Sequence, residues 1–137
     1  MADLTITGTN VVAGTNATTK QGIAGEAITA GQAVYQKAAD SKIYKAKSSG
    51  TPEEATVKGI ALNGCALGQS VLFQSTGNLN IGAAATLKTT TYCLSAAYGG
   101  VCPQADLITT NRLVVIGYAT DLVGNMLLDI NNTGVTL

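Results

Sequence analysis

The chain has 137 residues, eight of them basic and eight acidic, with no histidine and no tryptophan. Charged residues make up only 12%, which excludes the basic face of a nucleic-acid binder and leaves few titratable groups to oppose one another in a catalytic site. The length suits one domain, its core is thinned by 16 glycines and many alanines, and the low charge suits a surface that ends up covered by neighbours.

No apolar run approaches the roughly 20 residues of a membrane helix. The densest, at 113–116, is strand-sized. The first residues lack the basic and apolar regions of a secretory leader, so a soluble chain made in the cytosol is expected.

The elements read as β throughout. Leu4-Thr5-Ile6-Thr7 alternates like a half-buried strand. Residues 8–19 hold only Val11 and Val12 as large apolar side chains, too little to order the segment on its own. Two readings stand for residues 8–25: a mobile arm, or an arm that orders on a partner by adding a strand to its sheet. Gly22-Ile23-Ala24-Gly25 is not a phosphate loop, because no Gly-Lys-Ser/Thr follows it.

Lys37, Lys42, Lys45 and Lys47 form the basic cluster, beside Tyr35 and Tyr44. Lysines that guard a strand edge explain it more simply than a base-stacking, phosphate-binding surface. Pro52-Glu53-Glu54-Ala55 has the composition of one helical turn, and residues 57–62 read as a strand. Were Glu53 and Glu54 on a strand, they would point to opposite faces, the wrong geometry for a shared acid–base site. Val71 and Phe73 share a strand face, and Leu79 and Ile81 alternate with asparagines. Residues 104–109 fit a short helical turn, 112–120 a long strand and 126–130 a final one.

The three cysteines cannot all pair within one chain. Cys93 and Cys102 flank a turn at 96–100 and would face each other if that turn closes a symmetric hairpin. Both a disulfide and two small buried thiols stay open. Metal ligation has no histidine and no zinc spacing to work with. Asp121 and Asp129 flank the turn at Gly124-Asn125 but belong to no calcium loop. No cofactor, no metal and no catalytic residues are expected.

An internal repeat is suggested by Val57-Lys58-Gly59-Ile60-Ala61-Leu62 against Val115-Ile116-Gly117-Tyr118-Ala119-Thr120. Ile43-Tyr44-Lys45-Ala46 against Thr91-Tyr92-Cys93-Leu94, and 28–32 against 79–83, extend it. The expected fold is all-β: a small β-barrel or sandwich with a two-fold internal repeat, an extended N-terminal arm and little helix. The arm and first strand occupy 1–25. A single β-domain occupies 26–137, with half-repeats at 26–64 and 77–122.

Three stretches resemble the capsid decoration, or cement, proteins of tailed bacteriophages. The first is Met1-Ala2-Asp3-Leu4-Thr5-Ile6-Thr7 with Asn10-Val11-Val12-Ala13-Gly14. The second is Ala24-Gly25-Glu26-Ala27-Ile28-Thr29-Ala30-Gly31-Gln32-Ala33-Val34-Tyr35. The third is Lys58-Gly59-Ile60-Ala61-Leu62-Asn63-Gly64 with Gly68-Gln69 and Gln74-Ser75-Thr76-Gly77. The resemblance implies a β-rich, non-enzymatic virion protein, a homotrimer made in the host cytoplasm. It would sit on the outer capsid surface and brace subunits of the major capsid protein, without direct nucleic-acid or membrane binding. Leu4, Ile6, Val11 and Val12 are the expected contacts with the shell or a neighbouring copy. The reading from a different class is a receptor- or carbohydrate-binding module of a tail or fibre, with Tyr35, Tyr44, Tyr92, Tyr98 and Tyr118 as aromatic platforms.

Overall fold

The computed structural model describes residue 4 and residues 6–82, 91–120 and 124–137. Ten strands follow in chain order: β1 (Val12–Ala13), β2 (Thr18–Ile23), β3 (Ala33–Gln36), β4 (Ile43–Lys45), β5 (Gly59–Ala61), β6 (Ser70–Asn80), β7 (Thr91–Leu94), β8 (Val101–Pro103), β9 (Arg112–Ala119) and β10 (Asn125–Thr136). Among the described residues helix is confined to single 3-10 turns at Gly8–Asn10 and Gln104–Asp106. The fold is all-β, one antiparallel sheet curled into a half-barrel.

The main path of the sheet runs β4-β3-β5-β6-β10-β9-β7-β8. Strand β6 is its spine. Its first half lies between β2 and β5, and its second half between β1 and β10. The change of partners coincides with a bulge near Ser75 and with Gly77, whose φ is +91°. A side chain at Gly77 would also run into the main chain of Asn16 and Ala17. Buried Gln74 serves this junction: its Nε2 donates to the carbonyls of Thr76 and Asn78, while its Oε1 is buried without a hydrogen bond among the described residues.

Strands β3–β6 and β7–β10 are threaded alike, and their registers coincide. Val34–Lys45, Tyr35–Tyr44 and Gln36–Ile43 of the first unit become Tyr92–Pro103, Cys93–Cys102 and Leu94–Val101 of the second. Likewise Val34–Gly59 becomes Tyr92–Gly117. Every position moves by 58. From β6 to β10 the offset falls to 53, so Ile60–Gln74 becomes Tyr118–Leu127. The likeness of 57–62 to 115–120 lies at this offset of 58, but the other two suggested matches do not. The likeness of pairing covers 33–80 and 91–136 and sets β4 against β8; it does not confirm the expected half-repeats 26–64 and 77–122.

Gly59 and Gly117 occupy corresponding places for one physical reason. A Cβ on Gly59 would lie 2.5 Å from the Gln74 carbonyl oxygen, and one on Gly117 would lie 2.2 Å from that of Leu127. Both are main-chain atoms of the paired strand, so only glycine permits the approach.

Two apolar clusters result. Val34, Ile43, Ala61, Val71 and Phe73 fill the hollow of the first unit, together with Ala24 and Ile28. The corresponding residues Tyr92, Val101, Ala119 and Met126 line the hollow of the second, which Ala33, Tyr35 and Ile60 fill from the outside of the first. Strands β3 and β5 are thus buried on both faces, and their side chains show no polar alternation.

The outermost strands of the path, β4 and β8, are capped at corresponding residues. Gly25 N donates to Ile43 O, and Leu4 N donates to Val101 O, each at 2.8 Å. Beyond them the loop after β4 meets the β7–β8 turn: Ser48 N donates to Ser95 O and Gly99 N to Ala46 O.

The segment read as an arm is extended, but it lies on its own chain. Strands β1 and β2 run antiparallel along β6 while their side chains stay largely exposed. Main-chain hydrogen bonds to β6 supply the order that its few apolar side chains cannot.

Candidate functional site

Of the four expected contact residues, three face inward. Val11 is buried, and Leu4 and Ile6 are half-buried against the larger core. Ile6 is held there because Gly31, with φ +93°, leaves room for its Cγ2. Val12 alone is open to solvent, at 60% exposure. Leu4, Ile6 and Val11 therefore build the molecule, and Val12 remains available as a contact.

Val12 borders an uncharged surface on the outer face of the sheet. Directly paired residues of adjacent strands point to the same face. One row runs Val12–Asn80–Asn125 across β1, β6 and β10. The next runs Asn78–Leu127–Tyr118 across β6, β10 and β9. Leu127 is 40% and Tyr118 41% exposed, and Asn80 Nδ2 donates to Asn125 Oδ1. The following row brings Asp129 opposite Thr76 and ends the uncharged area. The sequence placed Tyr118 in a repeat and Leu127 in a terminal strand. Alternation within β10 was the available signal for an outward Leu127, but which of its faces is the core depends on tertiary packing. Asp121, the other acid expected at the Gly124-Asn125 turn, lies outside the described residues.

Two groups of titratable side chains tie loops and strand ends together. Tyr98 OH donates to Glu54 Oε2 at 3.1 Å, and Lys47 Nζ stands 4.1 Å from the Tyr98 ring centre. Main-chain donation from Thr51 holds the Glu54 carboxyl below its ordinary range, with help from Tyr98, and the Tyr98 contact raises Lys47. This trio ties the loop after β4 to the β7–β8 turn. At the edge strand β4, Tyr44 OH donates to Asp40, Lys37 lies over the Tyr44 ring, and Lys45 pairs with Glu26 at 3.9 Å. The lysine cluster thus decorates the end of the sheet path. Glu53 and Glu54 sit in a turn rather than on a strand.

Of the five tyrosines, Tyr35 and Tyr92 are core residues. Burial, with nearby carboxylates, pushes the Tyr35 hydroxyl up to about 12. Tyr98 is exposed but bound to Lys47 and Glu54, and Tyr44 is half-buried. Cys93 and Cys102 face each other in register, both buried, and burial pushes the Cys93 thiol up to about 11. No group of metal-ligating side chains occurs among the described residues. No helix there is long and apolar enough to cross a membrane.

Surfaces for recognition among the described residues include the uncharged outer face around Leu127, a cleft of about 340 Å³ at the opposite ends of β9 and β10, and one of about 220 Å³ beside Leu4, Ile6 and Tyr98. No protein-family model matches the chain, and no curated protein matches it.

Proposed function

We propose that this protein is a structural component of a phage head, a decoration protein that lies on the outer capsid surface as a homotrimer and braces the major capsid protein. The observation that carries the reading is the uncharged outer face bearing Val12, Leu127 and Tyr118. Exposed apolar side chains set among asparagines suit a large protein surface that must be met without paired charges. The resemblance of 24–35 and 58–64 to decoration proteins supports the same reading.

The mechanism is bracing. A copy that touches two shell subunits must be released before they separate, and several weak contacts combine through effective concentration. Attachment through an uncharged face depends little on ionic strength.

The test is sedimentation of empty heads with the purified protein. Val12→Asp and Leu127→Asp change exposed side chains, so the folded protein is expected to persist while head binding falls at least about tenfold, or about 1.4 kcal/mol. Deleting 2–18 is a poorer test, because it removes Leu4, Ile6 and Val11 from the core. Full binding by both aspartate variants, or failure of the unaltered protein to bind any head, overturns the reading.

A further inference from the structure

Arg112 is the chain's single arginine. It opens β9 and is half-buried. Its Nε donates to Gly50 O at 3.3 Å, and its Nη1 lies 3.4 Å from Thr136 Oγ1. These bonds fix the plane of the guanidinium but use only part of its five-donor fork. No carboxylate among the described residues lies within ion-pair distance. Glu54, whose carboxylate also lies near Gly50, is engaged by Thr51 and Tyr98.

Arg112 is one of the residues lining the cleft at the ends of β9 and β10. Pro52, Ala55, Leu113 and Val114 give it apolar walls, and Thr56 and Asn132 add polar groups. Asn132 is already satisfied: its Oδ1 accepts from Val57 N at 2.9 Å and its Nδ2 donates to Val57 O at 3.2 Å. Thr56 Oγ1 donates to Pro52 O. Among the lining side chains, Arg112 is the one that keeps N–H groups beyond its two hydrogen bonds.

We propose that this cleft is a carboxylate-binding site, built to take an aspartate or glutamate side chain from a partner protein. A half-buried arginine with donors to spare matches a carboxylate in shape and charge. One positive charge balances one negative charge, whereas a phosphate dianion would call for a second cation that the lining lacks. Apolar walls lower the local dielectric and strengthen the pair. The site stands apart from the shell-binding reading, since it lies at the far end of β9 from Tyr118.

A single arginine gives a single Nε–Hε signal in a nitrogen-correlated NMR spectrum, so the site reports on itself. The probe is blocked aspartate, acetyl-Asp-amide, with acetyl-Asn-amide and inorganic phosphate as comparisons at equal ionic strength. The expected result is a saturable shift with the aspartate at about 1–10 mM, none with the asparagine, and a weaker response to phosphate. Arg112→Lys keeps the charge but not the fork and is expected to weaken binding about tenfold, read from neighbouring amide signals. Thr56→Glu supplies a carboxylate within the chain and is expected to move the Nε–Hε signal and abolish the titration. If Arg112→Lys fails to fold, the Thr56→Glu result decides. A linear shift, an equal response to asparagine or phosphate, or an unchanged titration in folded Thr56→Glu overturns the proposal. Shell binding is read separately by sedimentation, so either conclusion can fail alone.

Discussion

The two threaded units share a register and differ in what fills them. In the first, Val34, Ile43, Ala61 and Phe73 close on the chain's own Ala24 and Ile28. In the second, the corresponding Tyr92, Val101, Ala119 and Met126 close on Ala33, Tyr35 and Ile60 of the first. One unit is self-contained and the other is completed by it. A common strand plan thus gives unequal stability, because stability follows what occupies the concave side rather than the order of the strands.

The sharpest test of this inequality lies in the two hollows. Phe73→Ala is expected to cost about 3–5 kcal/mol and Met126→Ala about 2–5 kcal/mol. Their reach should differ more than their size. Hydrogen exchange is expected to show Met126→Ala opening β7–β10 while the Val34 amide stays protected. Phe73→Ala should lower protection in both units. Equal and local losses in the two variants would show that the units stand independently.

Next come the corresponding glycines. Gly59→Ala and Gly117→Ala each press a methyl onto a paired-strand carbonyl, and each is expected to cost about 1–3 kcal/mol in urea unfolding. Similar penalties would sharpen the correspondence, whereas a neutral Gly117→Ala would break it. Asn132→Ala probes a feature of one side only. It strips both partners from the Val57 main chain, for about 1–3 kcal/mol.

The smallest effects are chemical. A thiol reagent is expected to label half-buried Cys65 first. Cys93, with its thiol raised by burial, should react only as β7 opens. Tyr98→Phe is expected to cost about 0.5 kcal/mol at neutral pH. The Glu54 carboxyl titrates lower in the folded chain than in the unfolded one. Its contribution is therefore present above the ordinary glutamate range and lost as pH falls through the lower folded value. The difference in melting temperature between Tyr98→Phe and the unaltered protein should shrink over that acidic interval.

Much of this was legible in residues. The alternation at Val71 and Phe73, the strand at 112–120 and the facing of Cys93 and Cys102 follow from spacing and turn chemistry. The likeness of 57–62 to 115–120 has a local cause, a glycine forced against the paired strand at Gly59 and at Gly117. The correspondence of Tyr35 with Cys93 was not, since a paired position accepts any side chain that suits its own surroundings. In the sequence Leu4, Ile6 and Val11 read as contacts because a segment so poor in apolar residues gives no local sign that distant Gly31 and Val101 receive it. The outer face escaped for a related reason: neither Tyr118 nor Leu127 shows which side of its strand stays open until the hollow is built.

The capping of β8 by Leu4 carries a consequence for how the molecule is made. Synthesis delivers Leu4 first and Val101 nearly a hundred residues later, so this bond joins distant parts of the chain and belongs to the slow, non-local class of contacts. Gly25 can reach Ile43 far sooner. During refolding β8 therefore keeps a bare edge for longer than β4, and intermolecular strand pairing in concentrated refolding mixtures should begin at Val101 rather than at Ile43.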